Sequence, residues 1–232
     1  MILVQEGVPT SPRQMLVTAL LFVLTVLSHV RVSAEVHGGT ILALKGKKSV
    51  VMACDSRFAS HRTGGMMVTE SNRMIYSLGS QCLLGCIGLD CDARDLVNAL
   101  REKVSSHSDL ELGPQSLARC LSNILYKKGL YCTPTVIGLD SAGVPYICSM
   151  DGLGSQTISE GFAVSGTASG SLYAICEALY ESDQEGEALV TMAKKCMSLA
   201  MQRDVMSGGT CSLYVLTRSG VEKLSFDTDD SW

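Results

Sequence analysis

A four-layer α-β-β-α sandwich, an α+β fold of two antiparallel sheets with helix pairs outside, is the architecture this sequence predicts. Three observations predict it. The chain runs as strands, two helices, strands, two helices, strands. The strands come at hairpin spacing, which implies antiparallel pairing. They are apolar at nearly every position, so both faces of each sheet must be covered. The 232 residues, 46% of them hydrophobic, suffice for one sizeable core.

The elements follow in chain order. "TILALK" and "SVVMAC" are two short strands with Gly46-Lys47-Lys48 turning between them. "RMIYSL" and "CLLGCIGL" form a second pair around Gly79-Ser80. The period then changes: Leu96, Leu100 and Val104 recur at helical spacing, with Ala93 and Val97 alongside. Pro114, a favoured first-turn residue, opens a second helix that carries Leu117, Leu121, Ile124 and Leu125. "TPTVIGLD", "VPYICSM" and "GFAVSG" return to strands. "SLYAICEALY" is a third helix. A fourth runs from Glu187 to Arg203, with Leu189, Met192, Ala193, Cys196, Leu199 and Ala200 on one side. "TCSLYVLT" and "VEKLSF" close the chain across Ser219-Gly220.

Composition excludes some functions. The net charge is -4 and the lysines and arginines are dispersed, so no nucleic-acid surface is indicated. The ten cysteines mostly have apolar neighbours, as in "LLGCIG" and "YAICEAL", which marks them as buried reduced thiols. The four histidines lie near no cysteine cluster, so no metal site is expected. The N-terminus points elsewhere. Met15 to Leu27 is free of charge, Arg13 precedes it and Val32–Ala34 supplies small residues, a pattern like a secretory signal. It is short for a membrane span, which needs about 20 residues.

The chemistry is concentrated in "VHGGTILALKGKKSVVMACDSR", Val36 to Arg57. This stretch resembles the opening of proteasome beta-type subunits, members of the N-terminal-nucleophile hydrolase fold. The resemblance continues through "GLDCDARDLVNALR", "LYKKG…TPTVIGLD", "PYICSMDGLG", "FAVSGTASGSLYAICEALYE" and "RDVMSGG", and spans roughly Gly38 to Phe226. The later blocks look most like the non-catalytic beta-3 type. Active members use the side-chain oxygen of an N-terminal threonine as nucleophile and its own amine, of pKa near ~8, as base. A nearby lysine, a carboxylate and surrounding hydroxyls complete such a site.

The resemblance carries the family's strand carboxylate onto Asp55, its lysine onto Arg73 and its serine before the third helix onto Thr167. Its late acid and serine fall on Asp204 and Ser207. Sixteen residues separate Gly39 from Asp55, the family's spacing, so the nucleophile position falls on Gly39. Glycine has no side chain to attack with, and arginine stays protonated. Thr40 is the alternative nucleophile, one residue out of register. A slip of one residue turns a strand side chain to the opposite face, so Thr40 is expected to point away from Asp55 and Arg73.

These remnants also have structural readings. Asp55 and Arg73 would pair to fix two strands. Asp204 and Ser207 would shape the Ser207-Gly208-Gly209 turn, and Thr167 would cap the helix at Leu172. The resemblance implies a non-catalytic subunit of the 20S core, partnered by other proteasome alpha and beta subunits in stacked rings, with no cofactor. It implies a cytoplasmic and nuclear address, with residues 1–37 as an N-terminal extension and 38–232 as the beta-type domain. Two alternatives stay open: an active threonine endopeptidase using Thr40, and a secreted or membrane-tethered protein that kept the fold.

Overall fold

The computed structural model describes residues 36–60, 67–70, 74–105 and 113–227. The apolar run Met15 to Leu27, most of the N-terminal extension and Arg73 lie outside the described residues.

Among the described residues two antiparallel sheets form the centre. The smaller has five strands in the order β11-β2-β3-β12-β13: Phe162–Gly166, Thr40–Lys45, Val50–Cys54, Thr210–Thr217 and Gly220–Asp227. The larger has eight strands. Its path runs β10 (Gln156–Ile158), β9 (Pro145–Met150), β8 (Cys132–Leu139), β7 (Cys82–Leu89), β1 (Val36–Gly38), β4 (Arg57–Ser60) and β5 (Met67–Glu70), with β6 (Ile75–Ser77) also pairing to β7. The described helices are α1 (Asp90–Ser105), α2 (Pro114–Lys128), α3 (Ser169–Leu179) and α4 (Glu187–Met201).

Three apolar clusters separate four layers. Leu42, Leu44, Val51 and Ala53 pack under Leu172, Cys176, Leu189 and Cys196, so α3 and α4 cover the smaller sheet. Leu84, Cys86 and Val136 meet Leu96, Leu100, Leu121 and Leu125, so α1 and α2 cover the larger one. Ile41, Ala43, Met52, Met74, Leu83, Ile87 and Ile137 fill the space between the sheets. The uninterrupted apolar strands are thus explained: alternate residues of β2 enter different clusters, and both are buried. The fold is the predicted sandwich.

Helix ends follow local chemistry. Pro114 occupies the first turn of α2, where its missing N–H costs nothing. Gly129 ends the helix in a left-handed conformation (φ 62°) and returns its N–H to the Leu125 carbonyl.

Four strands were absent from the sequence prediction: β1, β4, β5 and β10. Each has only three or four residues. The most consequential is β1. It pairs with β7 (His37 opposite Leu89) and with β4 (Gly38 opposite Phe58), so the larger sheet already includes Val36 and His37. The next strand, β2, belongs to the other sheet. Gly39 is therefore the corner at which the chain crosses between sheets, and it does so at φ +93°, a conformation that favours glycine.

The ten cysteines are free thiols; eight are buried, Cys120 is half-buried and Cys91 is exposed. Among the described residues no helix is long and apolar enough to cross a membrane.

Candidate functional site

Five of the residues singled out from the sequence converge at the start of β2. Gly39 comes from the corner, Asp55 from the end of β3, Thr167 from the turn between β11 and α3, and Asp204 and Ser207 from the loop between α4 and β12. Thr40 lies at their centre.

Strand register sets the geometry. Ile41 faces Cys54 across β2 and β3, which brings Thr40 opposite Asp55, and the Asp55 N–H donates to the Thr40 carbonyl at 3.3 Å. Opposed residues share a face of an antiparallel pair. This corrects the expectation that Thr40 points away from Asp55. Spacing along the chain assigned Asp55 to position 39, but cross-strand register pairs it with position 40. Thr40 faces the helices, as do Leu42 and Leu44, while position 39 faces the space between the sheets, as does Ile41.

The carboxylate of Asp55 is fully buried and accepts two backbone hydrogen bonds, from Thr40 N at 2.7 Å and from Gly208 N at 2.9 Å. Burial pushes its pKa up to about 6, against the lowering effect of those two amides, the Arg57 amide and the nearby Arg57 charge. Arg57 itself donates through Nη1 to the carbonyls of Val205 (3.2 Å) and Ser207 (3.0 Å), tying the loop that carries Ser207 to the start of β4.

A chain of hydroxyls runs away from Asp55. Ser207 Oγ donates to Asp204 Oδ2 at 2.7 Å. With its one proton so used, Ser207 accepts from Thr40 Oγ1 (2.6 Å), and Thr167 Oγ1, 2.8 Å away, shares its single proton between Ser207 and the Asp204 carboxylate. Asp204 Oδ1 accepts the Met206 N–H at 3.0 Å, which closes the loop locally. Burial raises the Asp204 carboxyl, but hydrogen bonds from Thr167, Ser207 and the Met206 and Ser207 amides outweigh it, and the net shift is downward. An ionised Asp204 is what this donor polarity requires.

Thr40 Oγ1 also accepts the Ala168 N–H at 3.1 Å. The expectation that Thr167 caps α3 is corrected here. The N-cap residue is Ala168, it makes no side-chain cap, and the Thr167 hydroxyl turns to Ser207 instead. The reason is competition: Ser207 offers Thr167 a strong acceptor whose own proton is committed to a carboxylate.

At position 39 there is neither a nucleophile nor space for one. A Cβ built on Gly39 would lie 2.4 Å from Met74 Sδ, 2.6 Å from Met74 Cε and 3.1 Å from Ile87 Cγ2. Met74 is buried between the sheets and fills the volume a side chain would need. Gly166 is also required: a Cβ there would meet the Gly39 carbonyl oxygen at 2.1 Å. Its absence lets β11 close on the corner, where Thr167 N donates to that same oxygen at 3.3 Å.

Chemically, the cluster has one hydroxyl of interest, and it is sealed. Thr40 has no exposed surface, its oxygen already donates and accepts, and its nitrogen is an amide held by Asp55 rather than a free amine. A cavity of about 640 Å³ opens elsewhere, between the β6–β7 turn and the facing ends of α1 and α2, and none of the cluster's residues lines it.

Comparison with known proteins supplies the relationship. Residues 35–216 match the family described as "Proteasome subunit". The chain is similar to "Probable proteasome subunit beta type-3" of Schizosaccharomyces pombe, 32% identical over 79% of this chain and 91% of that protein. It is similar to "Proteasome subunit beta type-3-A" of Arabidopsis thaliana, 32% identical over 82% and 94% of the two chains. With "Proteasome subunit beta type-3" of Drosophila melanogaster it shares 27% identity over 83% and 96%. The chain belongs to the proteasome subunit family, and the relatives named here are beta type-3 subunits.

Proposed function

We propose that this chain is a non-catalytic, structural beta subunit of the 20S proteasome core, of the beta-3 type. Its work is assembly: it closes a beta ring with other beta subunits, stacks on an alpha ring, and forms part of the wall of a chamber in which neighbouring subunits hydrolyse peptides. The cytoplasm and nucleus are the corresponding address. The segment that precedes β1 is an N-terminal extension with no part in chemistry; the extension was expected to run to residue 37, but Val36 and His37 pair within the larger sheet and so belong to the beta-type domain.

One observation carries the reading. The nucleophile position is a glycine at a sheet-to-sheet corner, with Met74 packed where a side chain would lie. The rival nucleophile, Thr40, has a candidate relay in Ser207 and Asp204 but lacks a free amine and access. Freeing that amine would cut the chain between β1 and β2 and detach a strand paired on both sides, to β4 and β7.

The mature N-terminus tests this. Mass spectrometry of the chain from purified particles is expected to show Gly39 still joined to Thr40. A chain beginning at Thr40 would favour the threonine endopeptidase instead. A chain processed after Ala34 and absent from particles would favour a secreted protein.

A further inference from the structure

The hydroxyl of Thr40 is fully buried, fully hydrogen-bonded and, on the reading above, not a nucleophile. Its partners indicate what it does instead. Helix α3 begins at Ser169 with Ala168 as N-cap, and no side chain of its own segment satisfies its first donors. In a capping box the residue at the third helical position reaches back to the N-cap N–H. In α3 that position is Ser171, and the Ala168 N–H is taken by Thr40 Oγ1, from 128 residues away.

The neighbouring contacts are in step. Gly166 pairs with Thr40 across β11 and β2, Thr167 N donates to the Gly39 carbonyl, and Ala168 N donates to the Thr40 hydroxyl. Three consecutive residues entering α3 are thus read by two consecutive residues of the corner. Ser207, fixed by Asp204 and by Arg57 on its carbonyl, accepts the Thr40 proton and so fixes the rotamer that turns a lone pair to Ala168.

We infer that the degenerate site is a latch in which Thr40 is a positioning residue: its hydroxyl, oriented by Ser207 and Asp204, caps α3 in trans and couples the start of that helix to an uncut Gly39–Thr40 peptide. The inference rests on the non-catalytic reading, because a nucleophilic Thr40 would have to leave these partners. It gives the hydroxyl cluster a function that needs no substrate. Thr40 and Ser207 set where α3 leaves the sheet, and with it the placement of the outermost layer over Leu42 and Leu44.

The test is hydrogen exchange on the full chain within purified particles, for Thr40→Val and Thr40→Ser. Valine keeps the shape and removes the hydroxyl. Amides of residues 168–172 are expected to exchange about tenfold faster in Thr40→Val, and at the parent rate in Thr40→Ser. Amides of β12 and β13 are expected to be unchanged in both, which separates a local latch from general destabilisation. If Thr40→Val does not enter particles, Ser207→Ala serves: the unoriented hydroxyl is expected to speed the same amides by a smaller factor. Parent-like exchange at 168–172 in Thr40→Val, or in Ser207→Ala where that variant is used, overturns the latch. The mature N-terminus, measured on the same samples, reports on the non-catalytic reading: an uncut chain with parent-like exchange sinks the latch alone, whereas a chain beginning at Thr40 sinks the reading and the latch with it.

Discussion

Replacing Gly39 with alanine adds one carbon at the point where the two sheets are joined. Two costs follow. The backbone sits at φ +93°, where a Cβ is strained by roughly 1–2 kcal/mol. The new carbon also lies 2.4 Å from Met74 Sδ and 2.6 Å from its Cε, and moving a buried methionine in a filled core costs about 1–3 kcal/mol. The sum is roughly 2–5 kcal/mol, or roughly 4–20 °C in Tm for a chain of this size. Only the second cost depends on Met74, so a double-mutant cycle isolates it. Met74→Ala alone leaves a cavity and costs about 2–5 kcal/mol. The double variant is expected to be about 1–3 kcal/mol more stable than the sum of the two singles predicts. Urea unfolding of the full chain and its three variants gives the coupling directly. Additive effects would refute the claim that Met74 fills the nucleophile position. So would a Gly39→Ala variant as stable as its parent.

The buried carboxylate makes a prediction in pH. Asp55 has its pKa raised to about 6 from an unfolded value of 3.8. The folded state therefore binds a proton more tightly than the unfolded state does. The associated stability is complete below about pH 4 and is lost as pH rises through about 6, a difference on the order of 3 kcal/mol. Asp55→Asn is expected to flatten this part of the stability profile. It is also expected to be destabilising by about 1–3 kcal/mol throughout, because Thr40 N and Gly208 N donate to different carboxylate oxygens and the substitution turns one of those oxygens into an NH2 that cannot accept. Equal pH slopes for parent and variant between pH 4 and 7 would remove Asp55 as the source.

Much of the fold was legible because the strands are apolar on both faces and the helices carry their core residues at unmistakable spacing. Leu96, Leu100, Leu121 and Leu125 all end in the cluster that the pattern assigns to them. The short strands β1, β4, β5 and β10 were not legible. Segments such as "RFAS" and "QTI" have too few residues to show a period, and only partners elsewhere in the chain make them strands. The convergence of Asp55, Thr167, Asp204 and Ser207 was accessible through resemblance alone, since nothing local joins Asp55 to residues more than a hundred positions on, or Thr167 to Ser207 across 40 positions.

The two misjudged side chains share one cause. Thr40 was oriented by counting residues along the chain, whereas cross-strand register decides its face. Thr167 was assigned to the helix that follows it, whereas Ser207 from a distant loop claims its hydroxyl. In both cases a local rule gave way to a hydrogen-bond partner supplied by the tertiary fold. A sequence signal existed for neither Met74 nor Ala168, which are ordinary residues made important by what they touch.

The central claim is that this chain contributes no nucleophile, and peptidase activity of particles assembled with Thr40→Ala measures it most directly. Each activity, expressed per assembled particle, is expected to equal that of particles containing the parent chain. Selective loss of one activity in particles of normal composition would contradict the account and make Thr40 the catalytic residue.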